Sequence, residues 1–178
     1  MADEPASNLS WLSGVMALLS LAGMVLWPIG LVVAYLYPGH ANTLEADHLG
    51  GLPNDGVPLG YRLGALAFSL VSEAFIVWAL WSLRKLFALY AKGEVFSGAA
   101  IGLLNDVAAA LFASVIVGFV VHAPISFLLS LAAPGQAAIS FDFGTDDVVT
   151  LFCAGAVLVI ARVMREARRL ADENAKFV

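Results

Sequence analysis

Cysteine occurs once, at Cys153, in a chain of 178 residues, which excludes the disulfide framework of a small secreted scaffold. Charge is also scarce. Charged residues make up 13% of the chain, against about 25% in soluble domains. The net charge of -5 argues against a nucleic-acid partner. Only one histidine, His122, falls inside an apolar run, so a haem held by paired intramembrane histidines has no ligand set. No Gly-rich phosphate loop, nucleophile elbow or zinc-protease motif occurs. No cofactor, metal site or enzymatic activity is therefore expected.

Apolar residues are abundant: hydrophobic types reach 61%, against roughly 45–50% in ordinary domains, and the mean hydropathy is +0.88. Disorder is excluded by this composition, and a soluble fold would lack the polar surface to cover itself. An integral membrane protein remains. Four apolar runs are expected to span the bilayer as helices, at about 11–37, 63–83, 107–129 and 148–163. The result would be one all-α domain over 1–178, a four-helix membrane bundle with outer loops at about 38–60 and 130–147. The first run is long, so it should tilt, or kink at Pro28. It does not resemble a signal peptide, because Asp3 and Glu4 precede it without a base.

Orientation follows from the bases. Arg84, Lys85 and Lys92 lie between spans two and three, and Arg162, Arg165, Arg168, Arg169 and Lys176 follow span four. The other loops hold Arg62 alone against Glu45, Asp47, Asp55, Asp142, Asp146 and Asp147. Both termini are expected in the cytoplasm.

The connecting segments carry their own signals. Leu83, Leu86, Phe87 and Tyr90 recur at i, i+3, i+4 and i+7, which continues span two as an amphipathic cytoplasmic helix stopped by Gly93. Ser97 is the expected N-cap of the next helix. In the first outer loop, Asn42 and Glu45 suggest a short capped helix, and Pro53 to Gly56 a turn. His40, Glu45, Asp47 and His48 have metal-binding side chains, but not the spacing of a metal site. Ala133 to Gln136 also reads as a turn. Ile139, Phe141 and Phe143 alternate with polar residues, a strand-like pattern. The charged tail from Arg162 to Phe177 carries a narrow stripe of Val163, Ala167, Leu170 and Ala171, with Arg168–Asp172 and Arg169–Glu173 at i,i+4. It reads either as a solvated extension of span four or as a handle for lipid or a partner.

The stretches Leu83–Ser97 and Arg162–Val178, taken with the four spans, resemble the domain-of-unknown-function 2975 family of bacterial membrane proteins. The family's Gly-x-x-Phe-Ser/Thr motif is matched by Gly93, Phe96 and Ser97, and its Leu-x-x-Glu-Asn-like tail by Leu170, Glu173 and Asn174. The Glu-Asn pair that often follows the first motif is replaced here by Gly98, Ala99 and Ala100. The resemblance implies a small plasma-membrane protein, sometimes linked with helix-turn-helix regulators.

Several polar residues sit within the spans. Glu73 stands near the middle of span two, on an i,i+4 row with Ala65 and Ser69. A carboxyl group there must be neutral, paired or in a wet cavity, and it suits packing, proton or ion handling, or partner contact. In span three, Asp106, Ala110, Ser114, Gly118 and His122 form one ridge, whose small residues Ala110, Ser114 and Gly118 suit close helix approach. This ridge is expected to pack on the Glu73 face, with Asp106 paired to Arg162 or Lys85. Cys153 lies within span four, in surroundings that should leave its thiol unreactive.

The reading that fits best is a regulatory or accessory subunit acting through protein contacts. Arg84, Lys85, Lys92, Arg165, Arg168 and Arg169 would meet the bilayer surface, another membrane protein or a cytoplasmic regulator. The alternative is a small transporter or channel component using Glu73, which would require a homo-oligomer.

Overall fold

The computed structural model describes residues 4–37, 57–131, 139, 141 and 143–175. Four helices carry nearly all of them: α1 (Glu4–Leu36), α2 (Leu59–Ala91), α3 (Gly98–Leu131) and α4 (Thr145–Asn174). All four are long and apolar enough to cross a membrane. A helix satisfies its own backbone polar groups, the requirement that hydrocarbon imposes on a spanning segment. At 1.5 Å per residue each could reach about 45–50 Å, longer than the bilayer core needs, so every helix runs past its apolar window. Span boundaries taken from hydropathy are correspondingly short, because polar residues beyond the window keep hydrogen-bonding in helical register. The stretch after Leu83 accordingly belongs to α2 and is not a separate helix.

Local chemistry sets the ends. Gly93 has φ +80, and its N–H bonds to the Tyr90 carbonyl while that of Glu94 bonds to Leu89. This is the glycine-dependent Schellman closure of α2. Four residues on, Ser97 caps α3 by accepting the Ala100 N–H at 3.1 Å. At the start of α4, the Asp147 carboxylate accepts the Gly144 N–H at 2.9 Å. Asp146 and Asp147 also place negative charge on the positive end of that helix. Pro28 and Pro124 lie inside α1 and α3, and both helices continue through them.

Among the described residues the helices touch in chain order: α1 on α2, α2 on α3 and α3 on α4. α1 does not reach α4. Neighbours are antiparallel, since Tyr35 meets Ser69 while Gly23 lies against Leu80, and Gly64 lies against Leu128 while Leu86 clusters with Ala100. Both described termini therefore lie at one end of an open row.

Two clusters hold this row. Tyr35, Ala65, Leu66, Val121, Ile125 and Leu129 join α1, α2 and α3 at one end. Leu86, Ala100, Leu104 and Ala161 join α2, α3 and α4 at the other. Ala65, Ala100, Ala110, Ala154 and Ala161 are all fully buried, the small-residue packing expected where lipid gives no hydrophobic drive to association.

No strand occurs among the described residues. Phe141 instead stacks on Phe119 of α3, with centroids 5.3 Å apart. Residues 38–56 of the first outer loop, with its candidate cap, turn and metal-binding side chains, and the candidate turn at Ala133 to Gln136 lie outside the described residues.

Candidate functional site: a polar track and a basic end

Arg62, Leu66, Ser69 and Glu73 are spaced four, three and four residues apart, so α2 presents them on one face. Opposite them, α1 presents Trp27 and Tyr35, two turns apart. The Trp27 indole N–H donates to a Glu73 carboxylate oxygen at 2.6 Å. The hydroxyls of Tyr35 and Ser69 share a buried hydrogen bond of 2.7 Å. Arg62 donates through Nε (2.7 Å) and Nη2 to the Tyr35 carbonyl, one of the C-terminal carbonyls of α1 that the helix leaves open. The guanidinium also opposes the negative end of that helix.

The Ser69–Glu73 row thus hydrogen-bonds to α1, where the spacing had pointed to the ridge of α3. An indole and a phenol reach across a helix interface to fixed acceptors, while the small residues of the ridge offer no donor of matching length. The sequence signal was available: Trp27 and Tyr35 both carry a donor, eight residues apart in one apolar run.

The ridge residues are distributed differently. Ala110 and Ser114 are buried, and the Ser114 hydroxyl donates to the Leu111 carbonyl of its own helix at 2.8 Å. A side chain added at Gly118 would meet no atom within 4 Å, so no helix approaches closely there. His122 is half-buried and Asp106 exposed. Asp106 forms no ion pair among the described residues, so the expected bridge to Arg162 or Lys85 is not formed. Cys153 is exposed on the outer side of α4.

Cations gather at the end of the row where both described termini lie. Arg84 and Lys85 both lie over the Trp81 ring, at 5.4 and 5.0 Å from its centroid. Lys92 is exposed at the end of α2. In α4, Arg169 pairs with Glu166 at 2.7 Å and Glu173 at 3.7 Å, and Arg168 with Asp172 at 3.9 Å. The Arg168 guanidinium also lies over Gly98, 2.8 Å from where a Cβ would sit. This approach brings the segment after Ser97 against the tail. No group of three metal-binding side chains occurs among the described residues.

The family model described as a protein of unknown function (DUF2975) matches residues 6–178, and the chain belongs to that family. No curated protein and no solved structure matches it.

Proposed function

For a member of a family without an assigned activity, we propose that this chain is a non-enzymatic regulatory or accessory subunit of a bacterial inner membrane. In this reading it acts by binding another protein, with both termini cytoplasmic. The observation that carries the reading is the last part of α4. Val163, Ala167, Leu170 and Ala171 form an exposed apolar stripe on a segment that otherwise carries charge. Arg168 and Arg169 are drawn into ion pairs along the same segment, which keeps it helical beyond the apolar window. An exposed apolar strip rimmed by charge suits a partner helix or groove. The test is mild detergent extraction from native membranes and affinity isolation, comparing the wild type with Leu170→Glu. A stoichiometric foreign protein that is lost with Leu170→Glu supports the reading. A complex containing only copies of this chain overturns it.

The Trp27–Glu73 hydrogen bond favours a second reading, a small oligomeric ion or proton pathway. In that case Glu73→Gln abolishes a measured flux through reconstituted protein while leaving its oligomeric state intact.

A further inference from the structure

We infer that the face of α2 around Trp81 is a binding site for one anionic phospholipid, whose phosphate is held between Arg84 and Lys85. Trp78, Trp81, Lys85, Ala88 and Lys92 recur at three- and four-residue steps, and all are exposed. They form a single stripe that neither α1 nor α3 covers. Along this stripe the chemistry changes in one direction: apolar and aromatic through Trp78 and Trp81, then cationic at Lys85 and Lys92. Arg84 flanks the stripe, half-buried, and shares the Trp81 ring with Lys85.

The two cations are held without an acid. Neither Arg84 nor Lys85 is in an ion pair among the described residues, whereas Arg168 and Arg169 of α4 both are. The indole restrains them through cation–π attraction, which leaves their N–H groups directed to solvent or ligand. A guanidinium beside an ammonium suits a phosphodiester: the fork can bond two oxygens while the ammonium supplies the second charge.

The aromatic segment decides what kind of molecule carries that phosphate. A ligand filling the whole stripe presents an anion at Arg84 and Lys85 and an apolar body one to two turns deeper, along Trp78 and Trp81. That is the build of a phospholipid, and tryptophan and lysine commonly occupy such levels at membrane boundaries. An acidic peptide would match the cations and leave the indoles without a partner. This inference concerns lipid and does not depend on the protein-binding role assigned to the end of α4.

The full chain is reconstituted in vesicles of equal parts phosphatidylglycerol and phosphatidylcholine, re-extracted mildly, and the lipids retained per protein are counted by mass spectrometry. Wild type is expected to retain about one phosphatidylglycerol, enriched about five- to tenfold over phosphatidylcholine. Arg84→Gln/Lys85→Gln should fall to the bulk ratio, and Trp81→Leu should lose most of the enrichment with both cations present. Arg162→Gln, an exposed cation on α4, should leave it unchanged. A bulk ratio in wild type overturns the site. So does undiminished enrichment in Arg84→Gln/Lys85→Gln, or loss of lipid to millimolar inorganic phosphate or to an acidic peptide.

Discussion

Replacing Trp27 by Phe removes the indole N–H that donates to Glu73 at 2.6 Å and leaves an aromatic ring in place. Trp27 is 59% exposed, and lipid gives helices no hydrophobic drive to associate, so the smaller ring gives up little packing. The hydrogen bond therefore dominates the effect. A bond to a charged group contributes about 1.5–3 kcal/mol in water-soluble proteins. Inside membranes interhelical bonds average only about 0.6 and reach about 1.7 kcal/mol, because the dissociated helices find other partners. The lower scale governs here, since α1 is held on one side only and Trp27 remains largely exposed. A coupling of about 1 kcal/mol is expected, close to a fivefold change in the α1–α2 docking equilibrium. It is measured by a double-mutant cycle of Trp27→Phe and Glu73→Ala, with unfolding in mixed micelles of rising SDS content followed by circular dichroism. Glu73→Gln should fall between the wild type and Glu73→Ala, because its amide oxygen still accepts the indole proton. The reasoning is refuted if Trp27→Phe costs the same in the Glu73→Ala background as in the wild type.

Three further outcomes follow from geometry. Gly93→Ala forces a Cβ onto a backbone with φ +80, and should cost about 1–2 kcal/mol in the same unfolding assay, as the left-handed conformation does for L residues. Ser97→Ala removes the cap on Ala100; a loss of about 1 kcal/mol should appear as faster amide exchange at the first turn of α3, with α1 unaffected. A phosphatase reporter fused after Val178 should be inactive in a bacterial host, because the bases at that end favour the cytoplasm; activity there reverses the orientation.

The sequence disclosed the helices more completely than their neighbours. Gly93 and Ser97 marked a stop and a start because each does a local job, supplying a positive φ and a hydroxyl cap, which adjacent residues alone determine. Arg168–Asp172 and Arg169–Glu173 were legible for the same reason: i,i+4 spacing fixes proximity on one helix. Choosing the helix that faces Glu73 is a non-local question. Periodicity identified the Ser69–Glu73 row but could not say which helix its polar groups would bond. The ridge of α3 was attractive for its small residues, a pattern that permits approach without requiring it. Trp27 and Tyr35 tie the row to α1 through directional bonds, and an apolar-run reading counts both merely as hydrophobic. The approach of Arg168 to Gly98 was hidden in the same way, since its two sides belong to different helices far apart in the chain.

The order of the row limits how far a disturbance can travel. α2 and α3 form the central pair; α1 is joined to them in the cluster around Tyr35, and α4 in the cluster around Ala161. α1 and α4 do not touch among the described residues, so any coupling between them must pass through the central pair. Ala161 is fully buried, and Ala161→Leu should overpack that cluster at a cost of about 1–3 kcal/mol. If α2 and α3 act as a rigid frame, this cost adds to that of Trp27→Phe within roughly 0.5 kcal/mol, as for sites without shared neighbours. Non-additivity well beyond that margin means that the pair yields as a unit, and that a change in the α4 cluster is felt at the polar track between α1 and α2. For a regulatory subunit the second result carries more meaning. It would connect Glu73 to the proposed partner-binding stripe through the central helices that join α1 to α4.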